Sequence, residues 1–227
     1  GSLCRRVGER ARGVAALSRS PGEGDVPGGG AAAAGDVTDR GSFVDGFEGR
    51  DAAINLVALS PLFKPDGGDA MHETVHLGGT ENCVAAARHH GVERFVQLSA
   101  LGADPQGPTH YIRAKGKAEA EVRESDLDWV IFRPSVVFGD GGEFVPFTKR
   151  LKGMFAPGVP LYPLPGGGRK TVFQPIHVAD LVPMIADAVE DDDHVGATYE
   201  VGGPERLTLR EVTDQVYDAE GRSITIV

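Results

Sequence analysis

Apolar residues recur along the chain in two rhythms. Short runs such as "VAALS" (Val14 to Ser18), "DAAINLVALS" from Asp51, "ERFVQLSA" (Glu93 to Ala100) and "DWVIFRPS" from Asp128 predict buried strands. Longer segments with helical spacing lie between them. Met71 to His90 predicts a helix stopped by Gly91, and Tyr111 to Glu124 predicts another. "LCRRVGERARG" is helix-like up to Gly13, and "SPGEGDVPGGG" is a loop. "AAAAGDVTD" leads into a turn at Gly35-Asp36, with a helix capped by Asp39. Strand and helix in alternation argue for an α/β fold with a parallel sheet.

Beyond Gly139 the pattern loosens into a Gly/Pro-rich stretch with one short helix near Phe147. A strand at "TVFQPI", a helix over Val178 to Val189, a strand at "TYEVGG", a helix over Leu209 to Glu220 and a last strand at "SITIV" follow. The expected division is an α/β core over residues 1–140 and a smaller, ligand-facing lobe over 141–227. Both belong to one compact domain.

Composition narrows the function classes. The chain has 227 residues and a formal net charge of −10, a field that repels nucleic acid and anionic membrane surfaces. Cys4 and Cys83 are its only cysteines, too few for a zinc site or a disulfide framework, so no metal is expected and a reducing cytoplasm is the expected location. No apolar run reaches the roughly 20 residues of a spanning helix. Peripheral association with a membrane complex stays open.

The candidate chemistry begins with Tyr111 and Lys115, four residues apart and so on one helix face. Ser99 closes the preceding strand, "RFVQLS". Taken in order, "ALSRSP", "GDVTD", "INLVA", "HLGGTENCV", "GVERFVQLSALGA", "YIRAK", "FRPSVVFG" and "QPIHVADL" resemble the extended and atypical short-chain dehydrogenase/reductases, the NAD(P)-binding epimerase/dehydratase-like group. The nearest likeness is to the branch related to the nucleotide-binding accessory subunit of respiratory complex I. The resemblance covers nearly the whole chain. It implies a Rossmann-type, doubly wound parallel sheet with a small C-terminal substrate lobe. The family's first strand and glycine loop are absent ahead of "GSLCRRV", so an N-terminally truncated core is expected.

The resemblance also implies roles. Tyr111 exchanges a proton with a substrate oxygen, Lys115 lowers the phenol pKa and binds the nicotinamide ribose, and Ser99 holds the oxygen. Ser18-Arg19 follows the second strand with no acid, so Arg19 suits the 2′-phosphate of NADP, with NAD as the alternative. Asp36 and the Val37 backbone would meet adenine, and Leu56, Val57 and Ala58 would let the cofactor lie against a strand end. Pro134, Ser135, Val136 and Val137 would meet the nicotinamide. Asp180 is expected to organise the lobe and His177 to be a satisfied, partly buried side chain. "DDD" at Asp191 to Asp193 reads as a solvated turn. The expected activity is NADP(H)-dependent oxidoreduction at a carbonyl or alcohol carbon of an unidentified small molecule. The alternatives are a non-catalytic nucleotide-binding subunit or assembly factor related to complex I, and a sugar-nucleotide epimerase or dehydratase.

Overall fold

In a computed structural model of the chain, residues 15–18, 31–62, 64–140, 142–155, 157 and 161–227 are described. The expected N-terminal helix, Arg19 and Cys4 lie outside them. Two compact units are present, one formed by Gly1–Arg133 with Leu181–Glu200 and the other by Pro134–Asp180 with Val201–Val227.

The first unit carries a parallel sheet of the Rossmann type. β1 (Ala15–Ser18) pairs with β2 (Ala31–Ala34) in parallel. β2 was expected only as the approach to a turn. Its four alanines carry no alternating polar signal, and the strand is recognisable only from its pairing. Asp39 caps a short 3-10 turn, Arg40–Ser42, by accepting from Gly41 N–H. β3 (Ala52–Asn55), β4 (Arg94–Leu98) and β5 (Asp128–Pro134) then pair in parallel register. β3 reaches β4 through helix α1, and β4 reaches β5 through α2 (His110–Glu124), the crossovers that parallel strands require.

Helix α1 has three pieces, Ala70–His72, the π-helical Glu73–Gly78, and Gly79–His90. Regular helix was expected throughout. The departure shows in the Gly79 N–H, which donates to the carbonyls of both Thr74 and His76. Gly91 ends the helix with φ of 69°, as its position predicted.

β4 is buried on both faces, and Phe95 packs with Phe43, Phe47, Val84, Val122 and Ile131. Each such side chain contributes about 1.5–3 kcal/mol of transfer free energy.

The second unit holds β6 (Val137–Phe138), α3 (Phe144–Phe155), β7 (Leu161–Tyr162), β8 (Val172–Phe173) and β9 (Ile176–His177). Helix α4 (Val178–Glu190) passes from it into the first unit, where β10 (Thr198–Val201) lies beside β5. β11 (Leu207–Thr208), α5 (Leu209–Ala219) and β12 (Thr225–Ile226) complete the second unit. Its strands are paired two by two, β6 with β9, β8 with β11 and β7 with β12. Tyr162, Leu164, Tyr217 and Ile226 form its core, and the Tyr162 hydroxyl donates to the Thr148 carbonyl at 2.9 Å.

Candidate functional site

The C-terminal ends of β3 and β4 are where an open parallel sheet presents ligand-binding groups. At the end of β3, the buried Asn55 amide donates to Thr80 Oγ1 at 3.2 Å and to Gln97 Oε1 at 3.0 Å. Its own oxygen accepts from Val57 N–H at 3.1 Å. The Thr80 hydroxyl donates to the His76 carbonyl at 2.6 Å. One side chain therefore ties the Leu56-Val57 turn to β4 and, through Thr80, to the π-helical piece. Leu56 and Ala58 are exposed, as an open strand end requires.

Ser99 follows β4 directly, anchored by its N–H to the Phe132 carbonyl at 2.7 Å. Its buried hydroxyl makes no hydrogen bond of ordinary geometry. The loop beyond it returns onto α2, where Asp104 N–H donates to the Ile112 carbonyl. Gly116 makes this contact close. A Cβ there would lie 2.3 Å from the backbone at Asp104 and Pro105. That explains a glycine inside a helix, where it costs about 0.5–1 kcal/mol relative to alanine.

Thr109 caps α2 by accepting from Ile112 N–H, and the helix aligns Tyr111, Lys115 and Glu119 on one face. Lys115 is 2% exposed. Its ammonium donates to the Leu98 carbonyl at 2.9 Å and to Val57 at 3.4 Å, bridging the ends of β4 and β3. Burial pulls its pKa down to about 8, with Glu119 opposing. Burial favours a neutral Glu119, but the hydrogen bonds from Arg133 and Arg123 and the Arg133 charge outweigh it and hold the carboxyl below its ordinary range. Arg133 donates to both carboxylate oxygens, at 2.8 and 2.7 Å.

Tyr111 differs from the expectation. Lys115 was expected to stabilise phenolate. Instead the ammonium bonds the two strand-end carbonyls, and burial pushes the phenol up to about 12. In this state Tyr111 is a hydrogen-bond donor.

Two histidines unremarked in the sequence complete this surface. His72 and His76 stack 6° from parallel with centroids 5.7 Å apart. Both meet the Tyr111 ring nearly at right angles, at 5.7 and 5.3 Å. Burial, then the charges of Lys115 and His72, take His76 down to about 3. Their spacing of four on a helical segment was the available signal. Glu119, four beyond Lys115, was legible in the same way but sits within a mixed-charge stretch that looks solvated.

Asp36 accepts from both the N–H and the hydroxyl of Thr38, at 3.0 and 2.8 Å, in a turn. With Ala34, Gly35 and Ser42 it lines an open depression of about 590 Å³. The Val37 carbonyl accepts from Asn82 at 2.8 Å, while the Val37 side chain lies 3.0 Å from where a Cβ on Gly79 would fall. Ser18 ends β1, and Arg19 is outside the described residues.

In the second unit, Ser135 N–H donates to the Val201 carbonyl and the Val136 carbonyl accepts from Ile176 N–H. Val137 pairs with Ile176, and Pro134 ends β5. Those two groups are thus committed to the fold. His177 accepts from Ala179 N–H and packs on Phe138. Asp191 to Asp193 is more than a solvated turn, since Asp192 pairs with Arg94. Among the described residues no group of three or more His, Cys, Asp or Glu could hold a metal, and no helix is long and apolar enough to cross a membrane.

Residues 2–151 match the protein family described as NAD(P)H-binding. The chain is 36% identical over 137 residues to the Arabidopsis thaliana protein "NADH dehydrogenase [ubiquinone] 1 alpha subcomplex subunit 9, mitochondrial", covering 60% of this chain and 33% of that one. The Mus musculus protein of the same name is 35% identical over 188 residues, 83% of this chain and 48% of that one. The chain thus spans between a third and a half of these relatives. Among solved structures, "MoeE5 in complex with UDP-glucose and NAD" superposes with a TM-score of 0.77 at 22% identity, over 99% of this chain and 82% of that one. That likeness supports the Rossmann-type fold. The mitochondrial relatives overturn the expected cytoplasmic location. A low cysteine count does not single out the cytoplasm.

Proposed function

This chain belongs to the NAD(P)H-binding family, and from that premise we propose that it binds NADP(H) and transfers hydride between the nicotinamide and a carbonyl or alcohol carbon. The observation that carries the reading is Lys115, a buried ammonium bonded to the carbonyls that end β3 and β4, one turn from Tyr111. One of its three N–H donors is left for a ligand such as the cofactor ribose.

The dinucleotide, when bound, supplies the hydride. Adenine is assigned to the depression at Asp36, beside the Val37 backbone, and the middle of the cofactor to the strand end at Leu56, Val57 and Ala58. The 2′-phosphate is assigned to Arg19, next to Ser18. Ser99 and Tyr111 would donate to the substrate oxygen. A phenol held near 12 suits proton donation to a carbonyl being reduced better than proton abstraction.

The names of the relatives favour a second reading, a nucleotide-binding subunit of a membrane-associated respiratory assembly in which the cofactor is not turned over.

Titration of NADPH and NADH against wild type and Arg19→Ala, followed by NADPH oxidation with a quinone, ketone or aldehyde, tests the proposal. The expectation is tighter NADPH binding, lost in Arg19→Ala by about tenfold or more, as a charge-assisted phosphate contact of roughly 1.5–3 kcal/mol implies. Turnover should be abolished in Tyr111→Phe with binding intact. Equal affinities unmoved by Arg19→Ala would remove the NADP preference. Tight binding without turnover of any acceptor would select the second reading.

A further inference from the structure

Backbone pairing between β3 and β4 stops at Asn55 and Gln97. β4 runs on to Leu98, paired with Phe132 of β5, while β3 ends at Asn55 and the chain leaves the sheet through Leu56 and Val57. No strand pairing therefore fixes the gap between the Val57 and Leu98 carbonyls. These are the two carbonyls that hold the Lys115 ammonium, at 3.4 and 2.9 Å.

The buried Asn55 amide bridges the same gap. Its oxygen accepts from Val57 N–H at 3.1 Å, and its nitrogen donates at 3.0 Å to Gln97, the residue before Leu98. The orientation of the amide follows from these partners, since Val57 N–H needs an acceptor. A third bond, to Thr80 Oγ1 at 3.2 Å, ties the amide to α1. The Thr80 hydrogen is committed to the His76 carbonyl at 2.6 Å, so that oxygen is left to accept. Val57 is thus held on both sides, its N–H by Asn55 and its carbonyl by Lys115.

An ammonium is a point charge with three rotatable donors and no fixed direction of its own. Once two donors are taken, the positions of the two acceptors decide where the third points. No carboxylate shares this task at Lys115, because Glu119 is bonded to Arg133 and Arg123. We propose that Asn55 is a positioning residue for Lys115: its amide sets the spacing of the Val57 and Leu98 carbonyls and so aims the third Lys115 N–H at a neutral hydroxyl oxygen of the ligand. The ligand contact rests on the reading that Lys115 meets the nucleotide, whereas the positioning is a property of the free protein.

The test begins with NMR of the full-length protein carrying [13Cε]lysine, without nucleotide. The chain has six lysines, and Lys115→Met assigns the resonance of interest. Asn55→Ala should move the Lys115 resonance and leave the other five in place. Asn55→Ser loses the bonds to Gln97 and Thr80 as well, but its hydroxyl can accept from the N–H two residues on, as asparagine does. It should restore most of the wild-type shift, whereas a purely structural role would move the two variants alike. Gln97→Leu cuts the link on the β4 side alone and should displace the resonance too, which keeps the test open if Asn55→Ala does not fold. NADPH titration follows. Asn55→Ala should weaken binding about tenfold, and in the Lys115→Met background the same change should cost no more than about twofold, because both act through one group. An unmoved Lys115 resonance in folded Asn55→Ala or Gln97→Leu, equal displacement in Asn55→Ser, or losses that multiply in the double variant would overturn the assignment. If wild type binds no NADPH, the NADP(H) reading fails, and the resonance still decides the positioning.

Discussion

The two ends of β4 each bury a cation, and they do so differently. At the N-terminal end Arg94 is 7% exposed. Its guanidinium donates to the Ala188 carbonyl at 2.7 Å, the Asp191 carbonyl at 3.1 Å and the Asp192 carboxylate at 2.5 Å. Its buried Nε–H makes no hydrogen bond. At the C-terminal end Lys115 meets two backbone carbonyls and no carboxylate, because Glu119 is committed to Arg133 and Arg123. Arg94 has a carboxylate partner and ties α4 and the turn after it to the sheet. Lys115 is left with a donor to spare and a pKa lowered to about 8. A strand can thus be fastened at one end and kept receptive at the other. The receptive end is the one where parallel sheets bind ligands.

Removing the fastening should give the largest effect. Arg94→Met strands two carbonyls and ends the pairing with Asp192, and should cost about 2–4 kcal/mol in urea unfolding. Nucleotide affinity of the protein that remains folded should stay within about twofold. A large loss of affinity would show that the two ends are coupled.

Acid comes next. His76 is held near 3, below its ordinary 6.5, so the unfolded chain takes up this proton first as pH falls. Stability should decline from about pH 6.5 towards 3, by about 2–4 kcal/mol from this group. His72 is shifted the same way, by burial. Chemical denaturation across this range should show a steep acid limb, flattened in His76→Phe. An unchanged limb in that variant would place the sensitivity elsewhere, such as at the Glu119 carboxylate.

The smallest stability effect belongs to Lys115→Met. It removes a buried charge whose desolvation was costly, and leaves two carbonyls with one partner fewer. These offset, so the net change at pH 7 should be within about 1 kcal/mol. Nucleotide affinity should nevertheless fall about tenfold. Between pH 8 and 10.5 the unfolded wild type holds this proton more tightly than the folded protein does, so wild-type stability should rise with pH there. The rise should vanish in Lys115→Met, as denaturant titration at several pH values would show.

Much of this arrangement was legible from local pattern. Apolar runs located β3, β4 and β5, Gly91 marked the end of α1, and Thr109 and Asp39 occupy caps of the kind their side chains favour. Tyr111 and Lys115 had to share a face once α2 was a helix, and Ser99 had to follow β4. The strand Ala31–Ala34 was not legible, since alanine suits helix as well as strand. Nor was the π-helical turn, which trades one backbone partner for another and leaves no compositional mark. Asn55, Thr80 and Gln97 read as ordinary polar residues, because their network joins positions 25 and 42 residues apart.

The sequence by itself determined the alternation of strand and helix, the shared face of Tyr111, Lys115 and Glu119, and the absence of a metal-binding cysteine pattern. Those properties depend on neighbours within a few residues, where helical and strand periodicity dictate direction. Only the tertiary structure decided that Lys115 bonds the carbonyls of Val57 and Leu98, that Glu119 belongs to Arg133, and that Tyr111 sits against the rings of His72 and His76. The protonation state of a buried group is set by lost water and by charges brought close from distant parts of the chain. Neither quantity exists until the chain has folded.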